Sequence, residues 1–402
     1  MGLDVERDSQ SPSEMTRPLR LALWFMAFNA LLGVGLFLPA ATVLTQHGLS
    51  EAWVGVLAGA FPLAEGLSAM AYPMLVRRIS PRMLLLVGQL LCAASCLCII
   101  LYDQPVLLLL GRILGGAGGG AVAIAYHLVG KFAKEPDRVR EFGQLTAAST
   151  AGLMIGLVMT SVAAAAFGGE LGLRIASLLG AALSVAGMIA CASAGIPAAA
   201  DAEAPRRAAF DGKVNLLVIY GLNSFAYVGL SIAVTIWTGL HAELGVGATG
   251  LIFLGLTSLA VLFQAQAAGF AAARIGAGAT VAVGLGLSCA GAAIFAGQAG
   301  LVLPICGLVI ARLGYSVVVP TTLSLILSEG RAGGEQMRAG WAMFIASIGS
   351  SLGPASVGAL SSRYSLSVAA AVLATAAAAG LIASLAFWAR HRAVGFAPSK
   401  SR

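Results

Sequence analysis

Apolar residues run along this chain in long stretches, and charged residues, proline and glycine interrupt them at short intervals. Each stretch is long enough for an α-helix to cross a bilayer core of roughly 30 Å. Cutting the sequence at the interruptions predicts twelve membrane-spanning helices, here called spans one to twelve. Their bounds are 20–44, 53–76, 83–102, 106–130, 142–167, 172–195, 214–238, 247–272, 276–297, 301–327, 338–361 and 366–389.

Composition favours a membrane protein over a soluble one. Of the 402 residues, 59% are hydrophobic and 10% are charged, whereas ordinary soluble domains carry about 25% charged residues. A soluble fold could not cover so much apolar surface with a hydrated exterior. The predicted fold class is therefore an all-α polytopic membrane protein.

Positively charged residues are distributed unevenly between the loops. Twenty of the 24 Lys and Arg residues lie in both tails and in the loops on the N-terminal side, whereas the opposite loops hold Arg174 and Arg363. The positive-inside rule places both termini in the cytoplasm, and we expect a multi-pass protein of a bacterial cell inner membrane. The basic residues form no stripe with interleaved aromatic side chains, so no nucleic-acid partner is expected.

A polar segment at residues 197–213 is the longest hydrophilic connection after the N-terminal tail, and it separates six spans from six. The predicted organisation has a cytoplasmic tail, a six-helix bundle, a cytoplasmic linker, a second six-helix bundle and a second cytoplasmic tail. The bounds of these five parts are 1–19, 20–195, 196–213, 214–390 and 391–402.

The two halves of the sequence resemble each other at an offset of about 195 residues. Several matches in the same order indicate duplication of a six-helix unit. Transporters built from such repeats place the substrate between the halves near the bilayer midplane, and access alternates as the halves move. The matched pairs are Asn29 with Asn223, Arg112 with Arg312, Gly152 with Gly349 and Gly156 with Gly353.

Short motifs in four places resemble those of a known transporter family. Span four contains R-x-x-x-G-x-G, and the loop between spans two and three keeps part of G-x-L-x-D-R-x-G-R, with arginine in place of the aspartate. Span five keeps two glycines of the exporter motif G-x-x-x-G-P-x-x-G-G, and span eleven has a fuller copy. The residues concerned are Arg112, Gly116 and Gly118; Leu75, Arg77 and Arg78; Gly152 and Gly156; and Gly349, Gly353 and Pro354.

With two six-span halves, these motifs make the whole chain similar to the major facilitator superfamily, and to its exporters in particular. The resemblance implies two pseudo-symmetric six-helix bundles, with spans one, four, seven and ten lining a central cavity. It also implies that the loop arginines, the motif glycines and the proline act in gating and conformational change. We expect the protein to be a monomer.

One acidic residue, Glu65, lies deep within a span, on the same helical face of span two as Ser68 and Tyr72. Charges at mid-membrane are usually functional, since an arginine such as Arg112 costs roughly 2.5 to 3.5 kcal/mol on insertion scales. Our hypothesis is that Glu65 exchanges a proton and that Arg112 tunes its proton affinity. A permanent ion pair that locks two helices together is the alternative.

The second half offers a candidate substrate site. Arg312, in span ten, has no buried acid in its own half, so it either binds an anionic substrate or is bonded to backbone carbonyls. Span seven repeats polar residues every four positions, at Asn223, Tyr227, Ser231 and Thr235. Such a stripe either lines an aqueous cavity or hydrogen-bonds a neighbouring helix, and the family resemblance favours the cavity. Further cavity candidates are Asn29, Tyr72, Gln264 and Tyr315.

These features predict a secondary active transporter that moves a small organic molecule by alternating access. The leading function is proton-coupled efflux of a drug or siderophore-like metabolite, the alternative is a proton-coupled uptake symporter for a small organic anion, and a membrane sensor or scaffold is a distant third. The spans hold no nucleophile-and-base or metal-ligand constellation, so we expect neither enzymatic activity nor a metal site. A proton gradient rather than a cofactor would supply the energy. The expected partners are the substrate, protons and membrane lipid.

Overall fold

The structure is a computed structural model that describes residues 15–46, 48–76, 78–101, 104–132, 135–196, 214–240, 245–298, 300–327 and 335–393. Within these ranges the chain is helical, with short turns between the helices. The helices are α1 (Arg17–Gln46), α2 (Glu51–Leu75), α3 (Pro81–Ile100), α4 (Pro105–Gly119), α5 (Val122–Phe132), α6 (Glu135–Phe167), α7 (Gly169–Ser193), α8 (Val214–Leu240), α9 (Gly245–Ile275), α10 (Ala277–Ala296), α11 (Val302–Leu327), α12 (Glu335–Arg363) and α13 (Leu366–Ala393).

Most predicted spans correspond to one helix each, and the prediction of a multi-pass helical membrane protein is confirmed. Eleven helical segments in the described ranges are long and apolar enough to cross a membrane. One of them, Pro105–Val129, is span four, which comprises α4 and most of α5. Span eight corresponds to α9, whose described apolar stretch is the shorter Ala248–Leu259. The count of twelve crossings and the cytoplasmic position of the termini therefore stay predictions.

The interruption of span four lies in its glycine-rich segment. α4 ends at Gly119, the Ala121 N–H donates to the Gly118 carbonyl at 3.0 Å, and the Ala123 N–H donates to the Gly120 carbonyl at 3.1 Å. These bonds span three residues instead of four, which is the tighter pattern of a 3₁₀ turn. Consecutive glycines favour the change because each lowers helix propensity by about 1 kcal/mol. Span four is therefore two helical segments in series.

The helices of the two halves pack in the same order. In the first half α1 contacts α6 and α7, α3 contacts α4 and α7, and α2 contacts α4. In the second half α8 contacts α12 and α13, α10 contacts α11 and α13, and α9 contacts α11. The two sets coincide when α1 to α4 are matched with α8 to α11, and α6 and α7 with α12 and α13. This agreement supports the duplication inferred from the sequence, while the exact bounds of the two bundles stay predictions.

Four glycines bring matched helix pairs into close approach. A Cβ atom on any of them would collide with a backbone carbonyl of the facing helix, so a larger residue would force the helices apart. In this way α6 lies on α1, and α12 lies on α8. The contacts are Gly152 on Phe28 and Gly156 on Leu32 in the first half, and Gly349 on Gly221 and Gly353 on Phe225 in the second.

Candidate functional site

The acid of span two, Glu65, lies on the face of α2 that meets α4. Leu57, Phe61 and Glu65 follow one another on that face at intervals of about one helical turn. The Oε1 atom of Glu65 lies 3.5 Å from the position that a Cβ atom would occupy at Gly119. The side chain is half-buried, and no described residue forms a hydrogen bond or an ion pair with its carboxylate. Glu65 is therefore an acid within the bundle that the surrounding described residues leave unbound.

Arg112, on α4, is almost completely buried, with 4% of its surface exposed. Its Nε donates to the Leu57 carbonyl at 3.0 Å, and its Nη1 donates to the Gly33 carbonyl at 3.3 Å. The guanidinium carbon lies 4.1 Å from the ring centroid of Phe37 and 4.7 Å from that of Phe61. Two backbone carbonyls and two aromatic faces thus surround the charge and join α1, α2 and α4.

Glu65 and Arg112 do not touch. No carboxylate oxygen of Glu65 lies within 4.0 Å of a guanidinium nitrogen of Arg112. Phe61 lies near both groups, because its ring packs on the guanidinium and also lies beside Gly119, next to the carboxylate. The geometry therefore differs from the locked ion pair that the sequence left open, and Arg112 holds the helices together through carbonyls instead.

The glycines of span four have the packing role expected from their spacing. A Cβ atom at Gly116 would collide with the carbonyl of Phe61, and one at Gly118 would lie 2.6 Å from the carbonyl of Gly88. α4 therefore approaches α2 on one side and α3 on the other. Gly119 differs, because the nearest atoms to its added Cβ lie at an ordinary contact distance of 3.5 Å.

Arg312, on α11, has a related setting in the second half. It is 8% exposed, its Nε donates to the Leu256 carbonyl at 3.2 Å, and its Nη1 donates to the Tyr227 hydroxyl. The guanidinium carbon lies 4.6 Å from the ring centroid of Tyr227 and 5.7 Å from that of Tyr315. The two tyrosine rings stack on each other, with centroids 3.8 Å apart and planes at 20°. Three of the predicted cavity residues, Arg312, Tyr227 and Tyr315, are thus brought together.

A small cavity adjoins this cluster. Tyr227, Ser231 and Arg312 form its polar side. Its volume of about 10 Å³ is at the lower limit for one water molecule. The Ser231 hydroxyl donates to the Tyr227 carbonyl at 3.1 Å, within the same helix. The apolar side consists of Leu230, Val234, Phe253, Leu256, Leu308 and Ala311.

Asn29, predicted to line the cavity, faces a different part of the bundle. It is 2% exposed, and its Nδ2 donates to Gln89 Oε1 at 2.9 Å and to the Leu183 carbonyl at 3.3 Å. These partners lie on α3 and α7, so the amide is a hydrogen-bonded contact between helices. Sequence reasoning missed this pair, although a glutamine within the apolar span three was a signal for it.

Three other predicted cavity residues are not seen in contact with the cluster of Arg312, Tyr227 and Tyr315. Tyr72 is buried in an apolar cluster of α1, α3 and α5 residues. Asn223 is fully buried, and neither of its amide atoms has a hydrogen-bond partner in the part of the chain that the structure describes. The side chain of Gln264 lies outside the described residues.

Several contacts between the halves lie at the end of the bundle where α1 ends and α2 begins, here called the α1–α2 end, and the contact of α2 with α12 continues along the helix to Gly66. Thr42 of α1 donates to the Thr249 hydroxyl of α9 at 3.2 Å, and Thr249 donates to Thr238 of α8 at 2.8 Å. α2 also meets α12 there, at Gly55 and Gly358. The hydroxyl chain was not predicted, because three isolated threonines in three spans carry no sequence signal.

The residues predicted to act in gating have different surroundings. Arg77 lies outside the described residues, and Arg78 is exposed beyond the end of α2. Pro354 lies inside α12, where its carbonyl faces Gly55. The motif glycines all lie at the close helix contacts described above. A gating role for these residues stays a prediction.

Comparison with known proteins connects these features to a family. The sequence matches the Major Facilitator Superfamily over residues 23–337. It is similar to the quinolone resistance protein NorA of Staphylococcus aureus, with 25% identity over 136 residues. That segment covers 33% of this chain and 35% of NorA, so the match spans about a third of the relative's length.

Solved structures share the fold over nearly the whole chain. The nucleoside transporter NupG aligns with a TM-score of 0.72 and 14% identity, covering 93% of this chain and 99% of NupG. A bacterial homologue of the human lysosomal transporter Spinster, in an inward-facing and occupied conformation, aligns with a TM-score of 0.72 and 15% identity. That alignment covers 95% of this chain and 98% of the homologue.

Family, fold and apolar helices agree. They make this chain a multi-pass membrane protein of a transporter family, which agrees with the expectation that it has no enzymatic activity. The chain belongs to the Major Facilitator Superfamily.

Proposed function

We propose that this protein exports a small organic molecule in exchange for protons, by alternating access across a bacterial inner membrane. The observation that carries the proposal is Glu65, an acid inside the bundle whose carboxylate no described residue binds. An ionisable residue within a membrane bundle is costly and is a functional site by default. A carboxylate in an ion pair would be held in its charged form, whereas Glu65 is free to take up and release a proton.

Arg112 has a positioning role in this proposal. Its donors are directed to carbonyls of α1 and α2, so a change of charge at Glu65 breaks no ion pair with it. The ring of Phe61 packs on the guanidinium and lies near the carboxylate. Arg112 therefore fixes α1, α2 and α4 around the proton site while Glu65 cycles between its two forms.

The positive-inside distribution of Lys and Arg puts the α1–α2 end at the outer surface of the membrane. The contacts of Thr42, Thr249 and Thr238 and of Gly55 with Gly358 would then join the two halves on the outer side. The similarity to a quinolone resistance protein supports export, since removal of a drug from the cell produces resistance.

Proton-coupled uptake of a small organic anion is the second candidate. The observation that favours it is the buried cation Arg312, which has no acidic partner among the described residues. A bacterial membrane potential opposes the entry of anions, and protons moving inward with the substrate would offset its charge. Uptake and export are therefore distinguished by the direction in which a proton gradient moves the substrate: with the protons for uptake, and against them for export.

The test is accumulation of labelled organic anions, cations and neutral compounds in everted vesicles energised to an acidic interior. We expect accumulation that an uncoupler abolishes. Glu65→Gln should eliminate it, whereas Glu51→Gln, which changes an acid in the first turn of the same helix, should preserve it.

Two results would contradict the proposal. Uncoupler-sensitive accumulation that survives Glu65→Gln would make Glu65 structural. Accumulation in right-side-out vesicles with an acidic exterior, and none in everted vesicles, would establish the uptake symporter instead. Surface expression and monodispersity of both variants, measured in parallel, separate loss of coupling from loss of fold.

A further inference from the structure

We infer that Arg312, Tyr227 and Tyr315 form the head-group site for a carboxylate-bearing organic substrate. The inference rests on the proposed transport function and names the substrate class of the same protein. It depends on three features of the second half: an uncompensated cation, unused hydrogen-bond donors and an apolar cavity beside them.

The charge of Arg312 has no counter-ion among the described residues. Its two protein hydrogen bonds go to neutral groups, the Leu256 carbonyl and the Tyr227 hydroxyl. A cation at this depth is costly unless something compensates it, and a substrate anion would do so. A guanidinium carries five N–H donors, and Nη2 has no hydrogen-bond partner in the described part of the chain. A planar carboxylate fits such a fork better than a spherical ion does.

The two tyrosines supply further donors and hold the guanidinium in place. The Tyr227 hydroxyl accepts from Arg312, so its own hydrogen remains available. The stacked rings lie on one side of the guanidinium, at 4.6 and 5.7 Å from its carbon, which limits its rotation. A preorganised cation with a neighbouring phenolic donor is suited to bind an oxyanion.

The lining of the adjoining cavity indicates the polarity of the part of the substrate next to its carboxylate. Leu230, Phe253 and Leu308 line it beside Arg312, so the molecule attached to the carboxylate must be apolar near its head. At about 10 Å³ the cavity holds one water molecule at most. Binding of an organic anion must therefore separate α8, α9 and α11 locally.

At the corresponding place in the first half, a phenylalanine ring takes the position that Ser231 has in the second half. There Phe37, 1% exposed, packs on Arg112, while the second half has Ser231 at the corresponding position of α8. The first arginine instead donates Nη1 to the Gly33 carbonyl, where the second half presents Tyr227. The same chain thus contains an internal comparison, because a phenylalanine ring packs on one arginine and a cavity adjoins the other.

The experiment measures binding to the full-length purified protein by thermal shift and by titration calorimetry. Three probes share one ring system and differ in head group: 2-naphthoate, 2-naphthamide and 2-naphthylmethylamine. We expect 2-naphthoate to bind and stabilise the protein, and the amide and the amine to bind weakly or not at all. Arg312→Lys should lower the affinity for 2-naphthoate roughly tenfold or more, because a lysine cannot form the paired hydrogen bonds.

A pair of variants at Ser231 tests the cavity. Ser231→Phe, which places the first-half residue in the second half, should abolish binding of 2-naphthoate, and Ser231→Ala should retain it. The melting temperature without ligand shows whether each variant is folded. Equal binding of all three probes, or 2-naphthoate affinity unchanged by both Arg312→Lys and Ser231→Phe in folded protein, would overturn the inference.

Glu65→Gln separates this inference from the proposed function. We expect the variant to bind 2-naphthoate as the native protein does while losing gradient-driven transport. Arg312-dependent binding without any gradient-driven transport by the native protein would support the inference and contradict the proposed function. Proton-driven transport of cations that Arg312→Lys does not change would support the proposed function and contradict the inference.

Discussion

The two buried arginines occupy matched places in the two halves and have different surroundings. Arg112 and Arg312 each donate Nε to a carbonyl of the neighbouring helix, at Leu57 and Leu256. The backbone frame around them is therefore the same. What differs is the side chains: two phenylalanine rings pack on Arg112, whereas two tyrosine rings and a cavity adjoin Arg312.

This difference shows how the two copies of a duplicated unit can surround the same arginine with different side chains. Phenylalanine rings cover a guanidinium without offering a polar group, so Arg112 is enclosed and serves to hold helices. Tyrosine rings cover it equally well and add hydroxyls, and the small Ser231 leaves space beside it. In our proposals, one half provides the acid that exchanges a proton and the other half provides the cation that binds the substrate.

The largest loss of stability should come from replacing the ring that packs on Arg112 with the small residue that the second half has at the same position. Phe37→Ser removes a buried ring from beside Arg112, and we expect the free energy of unfolding to fall by about 3–5 kcal/mol. Denaturant unfolding in detergent micelles measures it, with Ser231→Ala as the control of small effect. A loss below about 1 kcal/mol would mean that the ring is not an integral part of the packing.

A smaller effect should distinguish the two arginines themselves. Arg112→Lys loses a donor to one of two carbonyls and the flat contact with two rings, and we expect a loss of about 1–3 kcal/mol in stability. Arg312→Lys should lower stability by less than half of that, because the cavity beside it accommodates a repositioned ammonium. Equal losses in the same unfolding measurement would refute the structural-versus-binding distinction.

The smallest effect should come from giving the second half the acid of the first. By the register that matches Leu57 with Leu256, position 264 of α9 corresponds to Glu65, and it is a glutamine. Gln264→Glu adds a negative charge to the half that holds Arg312, and we expect the affinity for 2-naphthoate to fall by about threefold to fivefold. Isothermal titration at constant ionic strength measures it. Tighter binding of the carboxylate would contradict the electrostatic argument.

Sequence reasoning identified most of the helical spans, the repeat and the two arginines, and the structure places Tyr227, Tyr315 and Arg312 in contact. That they line a substrate cavity stays a prediction. The sequence also suggested Asn29 as a cavity residue. In the structure, its side chain instead forms a hydrogen bond with Gln89. A stripe of four-residue spacing defines a helical face, but not which neighbour that face meets. The rotation of each helix about its axis is set by close contacts such as Gly152 on Phe28.

The sequence by itself determined that this chain crosses a membrane many times as helices and that its two halves repeat. Hydropathy and glycine spacing act residue by residue, and a bilayer imposes helices on any apolar stretch of sufficient length. Only the tertiary structure decided that Arg112 binds carbonyls rather than Glu65, and that a cavity adjoins Arg312. Those outcomes depend on helix depth and rotation, which packing against several other helices fixes together.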